Sequence, residues 1–167
     1  MQANFFNIDE QLFSVFITTL QVSKGVATIR DPVNAIVLPK AISGAWLRYT
    51  VTVTNPGPSG IDANSVVIVD PLPAEVALCV LSACAGSVDP LRFDDSASPV
   101  PTGLTFNYAT NVTYSTDGVA FMHIPVPDAS GFDAAITHVR IAPGGAMNAP
   151  GVPGNPEFKL LYVVRLK

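Results

Sequence analysis

The stretch Trp46–Val76, WLRYTVTVTNPGPSGIDANSVVIVDPLPAEV, decides the fold. Leu47, Tyr49, Val51 and Val53 alternate with Arg48, Thr50, Thr52 and Thr54, the period of two that marks a half-buried strand. β-Branched and aromatic residues fill it, as a pleated surface prefers. Asn55-Pro-Gly-Pro-Ser-Gly ends the strand with fixed φ, a missing donor and residues that accept positive φ. Val66–Val69 resumes as a short apolar run, and Asp70-Pro-Leu-Pro closes it. Two strands joined across a Gly/Pro-rich turn begin a β-sandwich.

Composition points the same way. The chain has 167 residues, one domain's worth, with fifteen Pro and twelve Gly that imply many turns and few helices. Hydrophobic residues make up 49% and charged residues 13%, which is little charge to cover a monomer's surface. Some apolar surface is therefore expected to lie in contacts. A net charge of −4 argues against nucleic acid and anionic membranes, both of which select basic patches.

VTVTNPGPS followed by VVIVDPLPAEV resembles the "domain of unknown function 11" repeat family of microbial cell-surface proteins. YSTDGVAFMHIPVPDASGFD and the closing NPEFKLLYVVRLK are similar to later strands of its single-domain members, so the resemblance covers roughly residues 20–167. It implies an immunoglobulin-like Greek-key β-sandwich on a secreted or surface protein, with no active site to carry over. Residues 24–167 are read as that sandwich, and residues 1–23 as a long apolar N-terminal strand extension.

In that extension, Leu12, Phe16, Leu20 and Val22 fall on one face of an extended chain and Phe13, Val15 and Ile17 on the other. Its length fits the apolar core of a signal peptide, but Asp9 and Glu10 stand where a basic region belongs. Thr18-Thr-Leu-Gln offers no small-residue cleavage site, and the run is too short to span a bilayer. A β-strand is the better reading. Seven large apolar residues between Leu12 and Val22, left in water, would forgo on the order of 10–20 kcal/mol in gross terms. Burial on two faces suggests a donor strand, with Phe5, Phe6, Ile8, Leu12, Phe13, Val15, Phe16 and Ile17 contacting a neighbouring subunit; the alternative is a long first strand kept in its own sandwich.

The rest of the chain reads as short strands and loops. Lys24–Ser43 is expected as a connector with a turn at Asp31-Pro-Val-Asn and a short edge strand over Ala35–Leu38. Leu104–Ala109, Val112–Ser115, Val119–Ile124 and Ile136–Ala142 read as strands, with Thr116-Asp-Gly as a hairpin turn. In the last strand Phe158, Leu160, Tyr162 and Val164 form one apolar face. Leu161 and Val163 interrupt the polar one, which points to a cover over its centre.

Cys79 and Cys84, in a surface domain, are expected to form a disulfide that closes a small ring; reduced thiols are the alternative. No metal site is expected, because two thiols and two distant histidines make a poor ligand set, and Asp89, Asp94 and Asp95 lack a calcium-loop spacing. No cofactor is implied, since no Walker loop or dinucleotide fingerprint occurs. His123 and His138 lie in strand patterns without a nucleophile elbow, so no enzyme is expected. The functional expectation is an extracellular structural subunit whose partner is itself, in a filament or coat. The alternative is an adhesive module binding a surface or polysaccharide ligand.

Overall fold

A computed structural model of the chain describes residues 19–167. The donor-strand residues Phe5 to Ile17 lie outside the described residues. The described chain is all-β and built from antiparallel sheets. In chain order the strands are β1 (Gln21–Arg30), β2 (Trp46–Thr54), β3 (Ile68–Pro71), β4 (Val76–Cys79), β5 (Leu91–Asp94), β6 (Leu104–Thr105), β7 (Val112–Ser115), β8 (Phe132–Asp133), β9 (His138–Ile141), β10 (Gly144–Gly145) and β11 (Glu157–Leu166). Two single helical turns, α1 (Ser82–Ala85) and α2 (Tyr108–Asn111), interrupt them.

Six strands form the larger sheet, ordered β1-β2-β11-β4-β8, with β5 also paired to β11. The centre is the β2–β11 ladder, in register from Glu157↔Thr54 to Arg165↔Trp46. A second sheet runs β3-β9-β7, and β6 and β10 make a two-residue ribbon. The main core lies between the two larger sheets. Leu47, Val51, Val53, Phe158, Leu160, Tyr162 and Val164 enter it from β2 and β11, and Val112, Tyr114, Val139 and Ile141 from β7 and β9. Tyr49 is half-buried against it, tilted on Tyr162 with ring centroids 5.5 Å apart.

Several elements differ from the sequence reading. The region expected as a connector from Lys24 is strand: β1 pairs with β2 from Gln21↔Thr54 to Arg30↔Trp46 and runs across the expected boundary between residues 23 and 24. Its sequence hides this because edge pairing is made by main-chain hydrogen bonds, while most of its side chains stay in water. Ala35–Leu38 is not a strand. Ala35 and Leu38 take positive φ, and the Asp31 carboxylate accepts hydrogen bonds from the backbone N–H of Val33, Asn34 and Lys40, winding the segment into a loop.

Of Leu104–Ala109 only the first two residues are strand. Asn107 then accepts from the Ala109 N–H and starts the α2 turn. Val119–Ile124 joins the sheet through one bridge, Tyr114↔His123, because Asp117 accepts from the N–H groups of Val119 and Ala120 and holds them in the turn. β4 and β5 were not anticipated.

The two sheets differ in width, and one ion pair spans the step. The register places Val22, Lys24 and Val26 on the core side of β1, opposite Val53, Val51 and Tyr49. The second sheet stops short of β1, so Val22 and Val26 remain 59% and 60% exposed. Lys24 reaches across to β3, where its Nζ lies 2.6 Å from Asp70 Oδ1 and 4.3 Å from the Tyr49 ring centroid. Tyr162 donates its hydroxyl to the other Asp70 oxygen. Burial and the Asp70 charge together hold the Tyr162 phenol protonated well above its ordinary range.

Because the Asp70 side chain is nearly buried and holds both partners, Asp70→Ala strands a phenol and an ammonium. We expect it to cost about 2–4 kcal/mol in urea denaturation, and Tyr162→Phe about 1–2 kcal/mol. Equal stability of Asp70→Ala and the parent would remove this network from the account of the fold.

Candidate interaction surfaces

The expected cover over β11 is present on the outer face of the larger sheet. Val163 is buried there with Ala77, Cys79, Cys84 and Phe132, and Trp46, Ile29 and Ala85 pack around them. β4 is buried on both faces, its Val76 and Leu78 entering the main core and its Ala77 and Cys79 this smaller one. Trp46 meets Phe132 edge-on at 5.1 Å, with Arg30 over the Trp46 ring and Arg165 over Phe132. Cys79 and Cys84 form a disulfide with Cα atoms 5.9 Å apart. The bridge ties the α1 turn to β4, and the ring it closes sits against Gly131.

Beside this cluster, Arg48, Arg92, Ser87 and Leu161 line a polar hollow of about 150 Å³. Arg92 is engaged by Asp94 at 2.5 Å.

Each histidine has a local side-chain partner. His123 Nε2 lies 2.8 Å from Asp133 Oδ2, and Asp133 also accepts from the backbone N–H of Val126 and Ala135. Burial pushes the Asp133 carboxyl upward, but these hydrogen bonds outweigh it and hold the carboxyl below its ordinary value. The pair therefore anchors the segment leading into β8. His138 Nδ1 lies 2.9 Å from Thr137 Oγ1, with the ring against Gly118. Among the described residues no three of His, Cys, Asp and Glu come together in a way that could hold a metal ion. Asp94 and Asp95 are instead taken up by Arg92, Ser96 and Thr102. Among the described residues no helix is long and apolar enough to cross a membrane.

Among the described residues, exposed apolar side chains gather in the Asp31 loop, at Val33, Ile36, Val37 and Leu38, and at two sheet edges. The first of these edges is the seam at the step between the sheets, with Val22 and Val26 as its floor and the free edge of β3 as its wall. No described strand pairs with the outer edge of β1 or with the free edge of β3. The second borders β7. Met122 and Ile124 point out at 83% and 81% exposed, while Phe121 and His123 turn toward Tyr108 and Tyr114 around a mostly apolar cleft of about 360 Å³. Tyr108 and Tyr114 share a hydrogen bond at 2.7 Å on its floor. Sequence reading missed both surfaces, since each depends on which sheet stops where. The only available signal was the low charge density.

The loops between strands are held by carboxylates. Asp31, Asp117 and Asp128 are each held down at about 2 from an ordinary 3.8. The main causes are N–H donors: Asn34 for Asp31, Val119 for Asp117, and Phe132 for Asp128, which also receives Arg165 at 2.6 Å. A depressed carboxyl stabilises the fold fully above its unfolded value and loses that contribution as pH falls through the folded one. Thermal melts are therefore expected to hold from pH 7 to about 5 and to drop between about pH 4 and pH 2. A melting temperature that does not fall over that window would refute this assignment.

The disulfide gives a second expectation. The thiols are unreactive to alkylation in the unreduced, denatured chain, and reduction costs roughly 2 kcal/mol for so short a ring. Alkylation of both cysteines without reductant would contradict it.

No family model, curated protein or solved structure matches this chain.

Proposed function

We propose that this protein is a non-enzymatic extracellular structural protein, a subunit of a surface filament or coat that assembles by exchange of its N-terminal strand. The observation that carries the reading is the seam. An all-β domain with a closed main core still leaves a long edge strand and the apolar side chains beside it in water. Exposed edges of this kind are normally blunted or covered, because they template pairing with another chain. Residues 4–17 of the same sequence carry apolar side chains on both faces and need a surface to cover them.

The resemblance of VTVTNPGPS and VVIVDPLPAEV to the repeat family of microbial surface proteins supports an extracellular setting, as does the Cys79–Cys84 disulfide. A strand passed from one subunit to the next makes a heterologous contact, and such contacts propagate into a filament unless the rotation closes a ring.

The second reading is an adhesive or ligand-binding module acting as a monomer, favoured by the polar hollow beside Arg48, whose guanidinium suits an acidic sugar, Arg92 being held by Asp94.

Negative-stain imaging and light scattering of the full chain separate the two. Filaments or large oligomers that disappear when residues 1–16 are deleted are expected. A monomer at all concentrations, unchanged by the deletion, would overturn the filament reading.

A further inference from the structure

We propose that the seam between β1 and β3 is the acceptor site for a second copy of this chain, whose Phe13–Ile17 lies beside the free edge of β3 and over Val22 and Val26 of β1. The inference rests on the strand-exchange reading above and adds the place where the strand is received.

Three observations select this site. The second sheet is one strand too narrow: Val22 and Val26 point to the core side of β1 yet are more than half exposed, because nothing in the described chain lies over them. A strand added beside β3 extends the β3-β9-β7 sheet by one and covers both side chains. By contrast, a strand added to the outer edge of β1 extends the wider sheet and leaves them open.

The donor's chemistry fits that position on one face. Phe13, Val15 and Ile17 form an uninterrupted apolar row, whereas Ser14 breaks the row of Leu12 and Phe16. The odd-numbered row therefore faces Val22 and Val26.

The donor is taken from another copy because the chain between Ile17 and β1 holds none of the residues that most favour a tight reversal. Folding back across the step would require a reversal within Thr18-Thr-Leu, which has no Gly, Pro, Asn or Asp. An extended continuation carries the segment away from its own seam.

A pair of full-length variants tests this. Phe13→Asp with Val15→Asp disables the donor and leaves the acceptor intact. Val22→Lys with Val26→Lys disables the acceptor at two exposed positions and leaves the donor intact. Each alone is expected to stay monomeric in analytical ultracentrifugation, and their mixture to form a one-to-one dimer and nothing larger. Loss of the far-UV spectrum in the Lys pair would be a folding failure. Hydrogen exchange of the parent then decides, with the amides of Ile68–Asp70 expected to slow on assembly.

Polymers from the Lys pair, or no slowing at β3, place the acceptor elsewhere and overturn this proposal while strand exchange stands. Slowing at Phe121–Ile124 instead assigns the site to the surface beside β7. Polymers from the Asp pair overturn strand exchange through this segment, and this inference with it. A parent that stays monomeric with β3 already protected shows the strand closing its own seam, and also overturns the proposal.

Discussion

The β2–β11 ladder is the constraint on which the remaining structure depends. Nine consecutive pairs, from Glu157↔Thr54 to Arg165↔Trp46, bring strands more than a hundred residues apart into one register. A slip of one residue would turn Val51, Val53, Leu160 and Tyr162 out of the core together. The rest of the larger sheet hangs from the edges of this pair. β1 takes the far edge of β2, while β5 and β4 share the far edge of β11, one at Lys159–Tyr162 and the other at Val164–Leu166. That division lets the chain between β4 and β5 fold over the outer face, where α1 and the disulfide cover Val163.

This hierarchy explains what could be read from the sequence. β2 and β11 are buried on their core faces and alternate, so they announce themselves. β7 is short but bounded by turn residues, and it lies where its pattern put it. β4 is buried on both faces and therefore shows no alternation, and its run VALC reads as easily as a loop entering a cysteine ring. β1 fails for the opposite reason. Its side chains are mostly exposed, so it has no apolar period, and only its partner makes it a strand. Ala35–Leu38 shows the converse error: an apolar run in a loop, wound there by Asp31 through three backbone donors. The disulfide was legible from two cysteines near enough to close a ring in what the resemblance implied was a surface domain, while the seam was not, because no single segment encodes the relative width of two sheets.

The low charge density has a local meaning in this arrangement. Many of the described acidic side chains are committed to loops: Asp31, Asp117 and Asp128 each satisfy backbone donors, and Asp133 and Asp70 are buried with partners. Charge spent on holding turns is not available to cover β-surface. Apolar side chains therefore stay exposed both at sheet edges, beside β1 and β3 and beside β7, and in the Asp31 loop itself, at Val33, Ile36, Val37 and Leu38.

In the proposed exchange, Lys24 is the residue a docking strand must accommodate. An inward-pointing charge on an edge strand is a common guard against indiscriminate pairing, because any strand laid over it must bury an ammonium. Here that ammonium is already matched. Asp70 lies 2.6 Å away, the Tyr49 ring stands beneath it, and Tyr162 occupies the second carboxylate oxygen. A strand covering the seam would desolvate a pair whose Coulomb partner is in place and whose remaining hydrogen bond is made, so the penalty for a solitary buried charge does not arise. It must still supply apolar side chains over Val22 and Val26 and leave the Lys24–Asp70 contact undisturbed between them. On the strand-exchange proposal, a bulky group or an opposing charge at that middle position would compete with the Lys24–Asp70 contact. The same ion pair that bridges the two sheets would then set the side-chain spacing of any strand received there.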